Sequence, residues 1–322
     1  MNSEPIAGGS QRPLPKPSGG PFREHPMTSL FLGPHGLRVG WRLVVAISLW
    51  YVISGVLPML LAWVPSVRSI LQHFGVATPI LTPAVLIFGS AITASSALLT
   101  GLVMTRIERR SFADYGLPGK STFGARFLLG AVYGFAMISL LMGLIAGLHG
   151  FSAQGSAIHG FLAARDGLLY FAGFIATAIF EEFAFRGYLQ STLQLAIGFW
   201  PAALILGAAF GAIHLINPGE SIYGAVMAGC FGLLAAFTLR RTGNIWFAIG
   251  LHTAWDWGET FFYAVRDSGL PAAGHYLNSA FHGPAWLTGG SVGPEGSAIV
   301  FVVLALAAVG VHLLFPRSKQ SR

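Results

Sequence analysis

Apolar side chains run along this chain in long stretches, at residues 42–63, 79–104, 125–148, 167–194, 198–216, 221–239, 245–265 and 297–315. The segments between them carry most of the Gly, Pro and basic residues. An α-helix needs roughly 20 apolar residues to cross about 30 Å of hydrocarbon, and these stretches approach or exceed that length. A helix on a soluble core would instead keep a polar stripe along one side. The pattern predicts an all-α fold, a polytopic transmembrane helical bundle of about eight spans.

Two of the stretches repeat small residues four apart: Gly207 with Gly211, and Gly224 with Ala228 and Gly232. That spacing lets helix backbones approach closely, so the fifth and sixth spans are expected at the centre of the bundle. The first forty residues hold Pro13, Pro15, Pro17, Gly19, Gly20 and Pro21 and too little apolar surface to offset the entropy of ordering them, which predicts a disordered tail over 1–40. Residues 41–164 then supply the N-terminal transmembrane helices and 165–265 a second set. Residues 266–322 hold a long Gly- and Pro-rich outer loop, the last span and a basic tail. Tyr276, Phe281 and Trp286 in that loop suit an interfacial aromatic belt better than a cap on the bundle.

Composition agrees with a chain solvated by lipid: 54% of the residues are hydrophobic and 10% charged, where soluble domains carry about a quarter charged. The formal net charge of +7 raises the question of nucleic acid. The Lys and Arg residues fall at span ends and not on one face of a domain, so they point to membrane orientation and exclude a nucleic-acid partner. Their alternation puts both termini and the even-numbered loops in the cytoplasm. The single Cys230 sits in an apolar run, rules out an intramolecular disulfide, and reads as a core residue.

Ionisable side chains inside spans cost roughly 2.5 to 3.5 kcal/mol each on insertion scales, so each needs a partner or a purpose. Three places hold them. In Glu181-Glu182-Phe183-Ala184-Phe185-Arg186, the spacing of four puts Glu182 and Arg186 on one helical face, while Glu181 points about 100° away and stays available. Phe210-Gly211-Ala212-Ile213-His214 brings a histidine to the end of the fifth span. His252-Thr253-Ala254-Trp255-Asp256 pairs an imidazole with a carboxylate on the seventh.

Each segment alone is compatible with packing or a structural ion pair. Together they supply what peptide hydrolysis requires: a carboxylate to take a proton from water, a histidine to hold that water, and a second histidine with an acid to meet the oxyanion. A divalent metal such as zinc, held by Glu181, His214 and His252, is the alternative assignment, and spacing does not separate the two.

At these three motifs the chain resembles the CPBP group of intramembrane proteases, which includes the type II CAAX prenyl endopeptidases and bacterial relatives linked to bacteriocin processing and immunity. The matching residues are Glu181, Glu182 and Arg186, then Phe210 and His214, then His252 and Asp256, all within 165–265. The resemblance implies a membrane-embedded endopeptidase, metallo- or glutamate-dependent, in a lipid bilayer, expected to be the bacterial cytoplasmic membrane, acting on a membrane-associated peptide or protein. It assigns Glu181 as general base, His214 as its partner on the water, and His252 and Asp256 to the intermediate. Glu182, Arg186 and Phe210 support them. Asp256 stands where the eukaryotic enzymes have Asn, and an ionised carboxylate cannot donate a hydrogen bond.

Two other functions compete: a non-catalytic membrane partner or bacteriocin-immunity-type protein with the same fold, and a proton-relaying transporter. Depth counting adds a difficulty for catalysis. Measured from the cytoplasmic ends of their spans at 1.5 Å per residue, His252 is about 10 Å deep and His214 about 24 Å.

Overall fold

The computed structural model describes residues 30–33, 36–65, 68, 80–119 and 124–316. The tail before residue 30, most of the loop at 64–78, Lys120 and the basic C-terminal residues from Arg317 onward lie outside the described residues.

A short hairpin of β1 (Leu32–Gly33) and β2 (Gly36–Leu37) leads into α1 (Val39–Leu61). Helix α2 (Pro83–Glu108) starts where Thr82 accepts a hydrogen bond from Val85 N at 3.3 Å and Pro83 fixes the first helical φ. Helix α3 (Ala125–Gly147) follows, and then α4 (Gly160–Glu182) passes through a π-helical stretch, Phe183–Leu189, into α5 (Gln190–Ile197). Gly198 ends that rod and opens α6 (Phe199–His214). Helix α7 (Ile222–Thr242) is capped by the Ser221 hydroxyl, and α8 (Trp246–Trp257) continues as a π turn over Gly258–Phe262. A one-turn α9 (Ala285–Thr288) precedes α10 (Ile299–Leu314).

Helix covers most of each of the eight expected stretches, although α4 begins at Gly160, ahead of the expected 167, and α8 leaves α geometry after Trp257. Five helical segments, Val39–Leu61, Pro83–Glu108, Ala125–Gly147, Gly160–Ile197 and Ile222–Thr242, are long and apolar enough to cross a membrane, whereas Phe199–His214 and Ile299–Leu314 are shorter apolar helices. The fifth stretch ends early because Asn217-Pro218-Gly219 turns the chain after His214, and the seventh leaves α geometry at Gly258. Exposed apolar side chains such as Val44, Met59, Leu128, Val132, Leu168, Ile205 and Val302 occur on most of these helices, a surface suited to lipid. The protein is an integral membrane helical bundle.

Small residues bring the central helices together. Gly207 faces the carbonyl oxygen of Gly229, which a Cβ would approach to 3.1 Å, and Gly211 faces that of Ala225, so α6 packs on α7 through its expected glycines, while α7 meets it with Ala225 and Gly229 and turns Gly224 toward Glu220 and Gly232 toward Arg186. The same device joins α3 to α8, where Gly130 and Gly134 meet the carbonyls of Phe247 and Leu251 and Gly250 meets that of Phe127. The largest core cluster fills the space around this second pair, with Ile138 and Leu141 of α3, Phe231 of α7, Leu251 and Trp255 of α8, and Val303 of α10.

The outer loop departs from a simple interfacial belt. Phe151–Ser156 forms β3 and Leu277–Phe281 forms β4, paired antiparallel, and Phe281 packs against Phe151 at 5.6 Å between ring centroids. Tyr276 packs against Phe261 and Phe262. These two rings therefore cap the bundle, because strand pairing draws the loop back across it, and only Trp286, 60% exposed, keeps the expected belt-like exposure.

Candidate active site

Glu181 and Glu182 end the regular part of α4, and the next residue begins the π stretch. One extra residue per turn widens the helix there, a feature common at functional sites. It places Arg186 inside the bundle with its guanidinium 4.1 Å above the Phe210 ring, Nη1 3.3 Å from Glu182 Oε1 and Nε donating to Gly232 O at 3.3 Å. A side chain at position 232 would occupy the space that Arg186 fills, so this glycine serves an ion pair as well as helix packing.

Glu182 is fully buried and has two partners. Its Oε1 lies 3.3 Å from Arg186 Nη1 and 2.9 Å from His252 Nδ1. The spacing of four puts Asp256 on the His252 face of the seventh span. The structure turns Nδ1 toward Glu182 on α4, and Asp256 Oδ2 faces Nε2 at 3.5 Å. Glu181 Oε2 also faces Nε2, at 3.7 Å, and accepts no hydrogen bond from the described residues although it is buried. Thus Glu182 is engaged and Glu181 keeps a free oxygen, as the helical spacing predicts.

His214 closes α6 and donates from Nδ1 to Phe210 O at 2.7 Å, a tautomer that leaves Nε2 as an acceptor. The Phe210 ring contacts His214 at 4.6 Å and His252 at 6.4 Å between centroids. Two histidines separated by one phenylalanine cannot differ in depth by as much as counting implies. That count assumes a common starting plane for α6 and α8. Helix α6 is reached instead through α5, after the π stretch, so its starting plane is independent of α8.

Glu181, His214, His252 and Asp256 line one cavity of about 190 Å³, with Leu86, Phe174 and Phe231 among its apolar walls. Asn217, Asp267, Ser268 and Glu295 line it too. Sequence reasoning passed over Asp267 and Glu295 because they lie in a loop, where acidic residues usually face water. Burial pushes the Asp267 carboxyl up to about 8, and the Glu295 charge adds to this, against the opposing influence of His252 and a hydrogen bond from Thr260. Glu259 was overlooked inside the seventh span, where the cost of burying any carboxylate was the available signal.

Two imidazoles and a carboxylate are a donor set known for catalytic zinc. Here Glu181, His214 and His252 do not bring their ligand atoms within 4.8 Å of one another. Among the described residues the group that does is Glu259, Asp267 and Glu295.

Residues 163–258 match the family model described as type II CAAX prenyl endopeptidase Rce1-like. Over that segment the chain is similar to the Rce1-like domain, which accords with the resemblance of its three motifs to the CPBP group. The match covers under a third of the sequence and includes every residue of the three motifs. No curated protein matches the sequence. At the level of the family, the Rce1-like domain is that of an intramembrane CAAX-type protease, which entails a bilayer and a membrane-associated peptide substrate.

Proposed function

We propose that this protein is an intramembrane endopeptidase in which Glu181 and His214 activate water for attack on a peptide bond of a membrane-associated substrate, in the manner of CAAX processing. The supporting observation is that Glu181 on α4, His214 on α6 and His252 on α8 open into the same cavity.

Glu181 suits the general base because its Oε2 has no hydrogen-bond partner, whereas Glu182 is held by Arg186 and His252. Glu181 takes a proton from water while His214 Nε2 accepts the water's other hydrogen, and the hydroxide adds to the scissile carbonyl carbon. His252 gives Nδ1–H to Glu182 and, as imidazolium, offers Nε2–H to the oxyanion. Asp256 holds the ring from the Nε2 side. Collapse of the tetrahedral intermediate breaks the C–N bond, and the proton on Glu181 passes to the leaving amine, so the products are an amine and a carboxylic acid whose remaining proton is then lost to water in the cavity. A zinc ion bound by Glu181, His214 and His252 would supply Lewis acidity, but their ligand atoms do not converge, and no step is routed through one.

The test is cleavage by the full chain in liposomes, with membrane peptides that accumulate uncut in a Glu181→Ala strain offered as substrates. Cleavage by the parent and loss in Glu181→Gln is the expected result. Equal cleavage by both would remove Glu181 from the mechanism, and biological activity intact in Glu181→Gln would favour a non-catalytic membrane partner.

A further inference from the structure

Beyond the cavity's proposed chemistry, three carboxylates outside the matched domain converge at its edge. Glu259 comes from the π turn after α8, Asp267 from the segment that follows, and Glu295 from the loop before α10. One oxygen of each lies within 4.8 Å of the others, and Glu259 and Glu295 are buried. Oxygens 4.8 Å apart are the widest pair that a central ion with bonds of about 2.4 Å can bridge, which falls within the 2.3–2.6 Å range of calcium.

Their hydrogen bonding differs in an informative way. Glu295 is satisfied by donors alone: Trp255 Nε1–H reaches its Oε1 at 3.1 Å, and the Ser268 N–H and Oγ–H reach its Oε2 at 3.0 and 2.6 Å. Asp267 Oδ2 accepts from Thr260 Oγ1 at 3.2 Å. Glu259 is 0% exposed, and neither of its side-chain oxygens accepts a hydrogen bond of ordinary geometry from the described residues; the Trp255 indole N–H, which donates to Glu295 at 3.1 Å, also faces Glu259 and is shared between the two. A fully buried carboxylate aimed at two others with no donor of its own requires compensation from another source.

We infer that Glu259, Asp267 and Glu295 form a binding site for a hard divalent cation, calcium by preference, that ties the end of α8 to the loop before α10. All-oxygen, carboxylate-rich ligation selects calcium, magnesium or manganese over zinc. Two of the three ligands come from loop segments, where ligand distances adapt more readily than on one helix, which favours calcium over magnesium. The adjoining cavity, lined by Asp267 and Glu295, gives water access to complete the coordination shell. This site shares a wall with the proposed catalytic residues and shares no ligand with them.

The experiment uses the full chain purified in detergent and stripped with a chelator, titrated with calcium chloride or magnesium chloride, and read by equilibrium binding of radioactive calcium and by thermal unfolding. The expected result is one saturable calcium per chain with a raised melting temperature, weakened at least about tenfold in both Glu259→Gln and Asp267→Asn and unchanged in Glu181→Gln. The two variants remove ligands from different segments, so failure of one to fold leaves the other to decide. Absence of saturable calcium binding up to about 10 mM would overturn the site and leave the three carboxyls sharing protons. Binding retained in a folded variant, lost equally in Glu181→Gln, or equally strong for magnesium would overturn the assignment as stated.

Discussion

Glu182 Oε1 approaches His252 Nδ1 to 2.9 Å, although the two residues are 70 positions apart on different helices. The same oxygen takes the Arg186 guanidinium at 3.3 Å. One buried carboxylate therefore fixes the orientation of the His252 ring and neutralises the cation of the π stretch, and its neighbour Glu181 is left to the cavity.

Removing either partner of the buried Glu182–Arg186 pair leaves an uncompensated charge. Arg186→Met is expected to lower stability by about 3 to 5 kcal/mol, and Glu182→Met similarly. The double variant recovers much of that loss, because two well-packed apolar chains replace the pair. Cleavage does not return with stability, since His252 Nδ1 has lost its acceptor. Thermal unfolding and cleavage measured on the singles and the double form the check.

Glu181→Gln preserves shape and removes the base. Cleavage is expected to fall by about 10² to 10⁴-fold with an unchanged melting temperature, the range typical for loss of a general base. A matched fall in both would assign Glu181 to structure instead.

Gly211 has no space for a side chain against Ala225 O. Gly211→Val is expected to force α6 from α7 and abolish the folded monodisperse form in detergent, while Gly40→Val, at a position where a Cβ meets nothing within 4 Å, leaves it intact. Size-exclusion profiles of the two separate a packing role from general intolerance of substitution.

A zinc-selective chelator is expected to leave cleavage unchanged, because Glu181, His214 and His252 do not converge on a common ligand position. Activity lost to the chelator and restored by zinc would transfer those three residues to a metal mechanism.

Burial raises the Glu220 carboxyl above the ordinary carboxylate value; the Ser221 N–H lowers it, the Glu295 charge raises it and His214 lowers it. A raised folded value means that the folded chain holds the proton more tightly. The associated stability is present below the ordinary value and is lost as pH rises through the folded one. Glu220→Gln retains an acceptor for the Ser221 N–H and cannot ionise, so its melting temperature is expected to drop less than the parent's between about pH 5 and pH 8. An equal drop would place the loss in other groups.

The apolar stretches by themselves determined the helical membrane fold and the rough position of each helix, because lipid admits few ways to satisfy a backbone and the length of a span follows from the bilayer. The three motifs likewise stood out, since a charged residue in a span is costly enough to be conspicuous. Partner choice was a different matter. The spacing of four does bring Asp256 to His252, at Nε2, but the contact of Glu182 with Nδ1 comes from another helix, because side-chain direction across helices depends on packing that no single segment encodes. The shared level of His214 and His252 depended on where α6 begins after the π stretch, and the meeting of Glu259, Asp267 and Glu295 depended on a loop folding back over the bundle. Local sequence fixes periodicity and burial preference. Only the tertiary packing of distant segments decides which buried groups face one another.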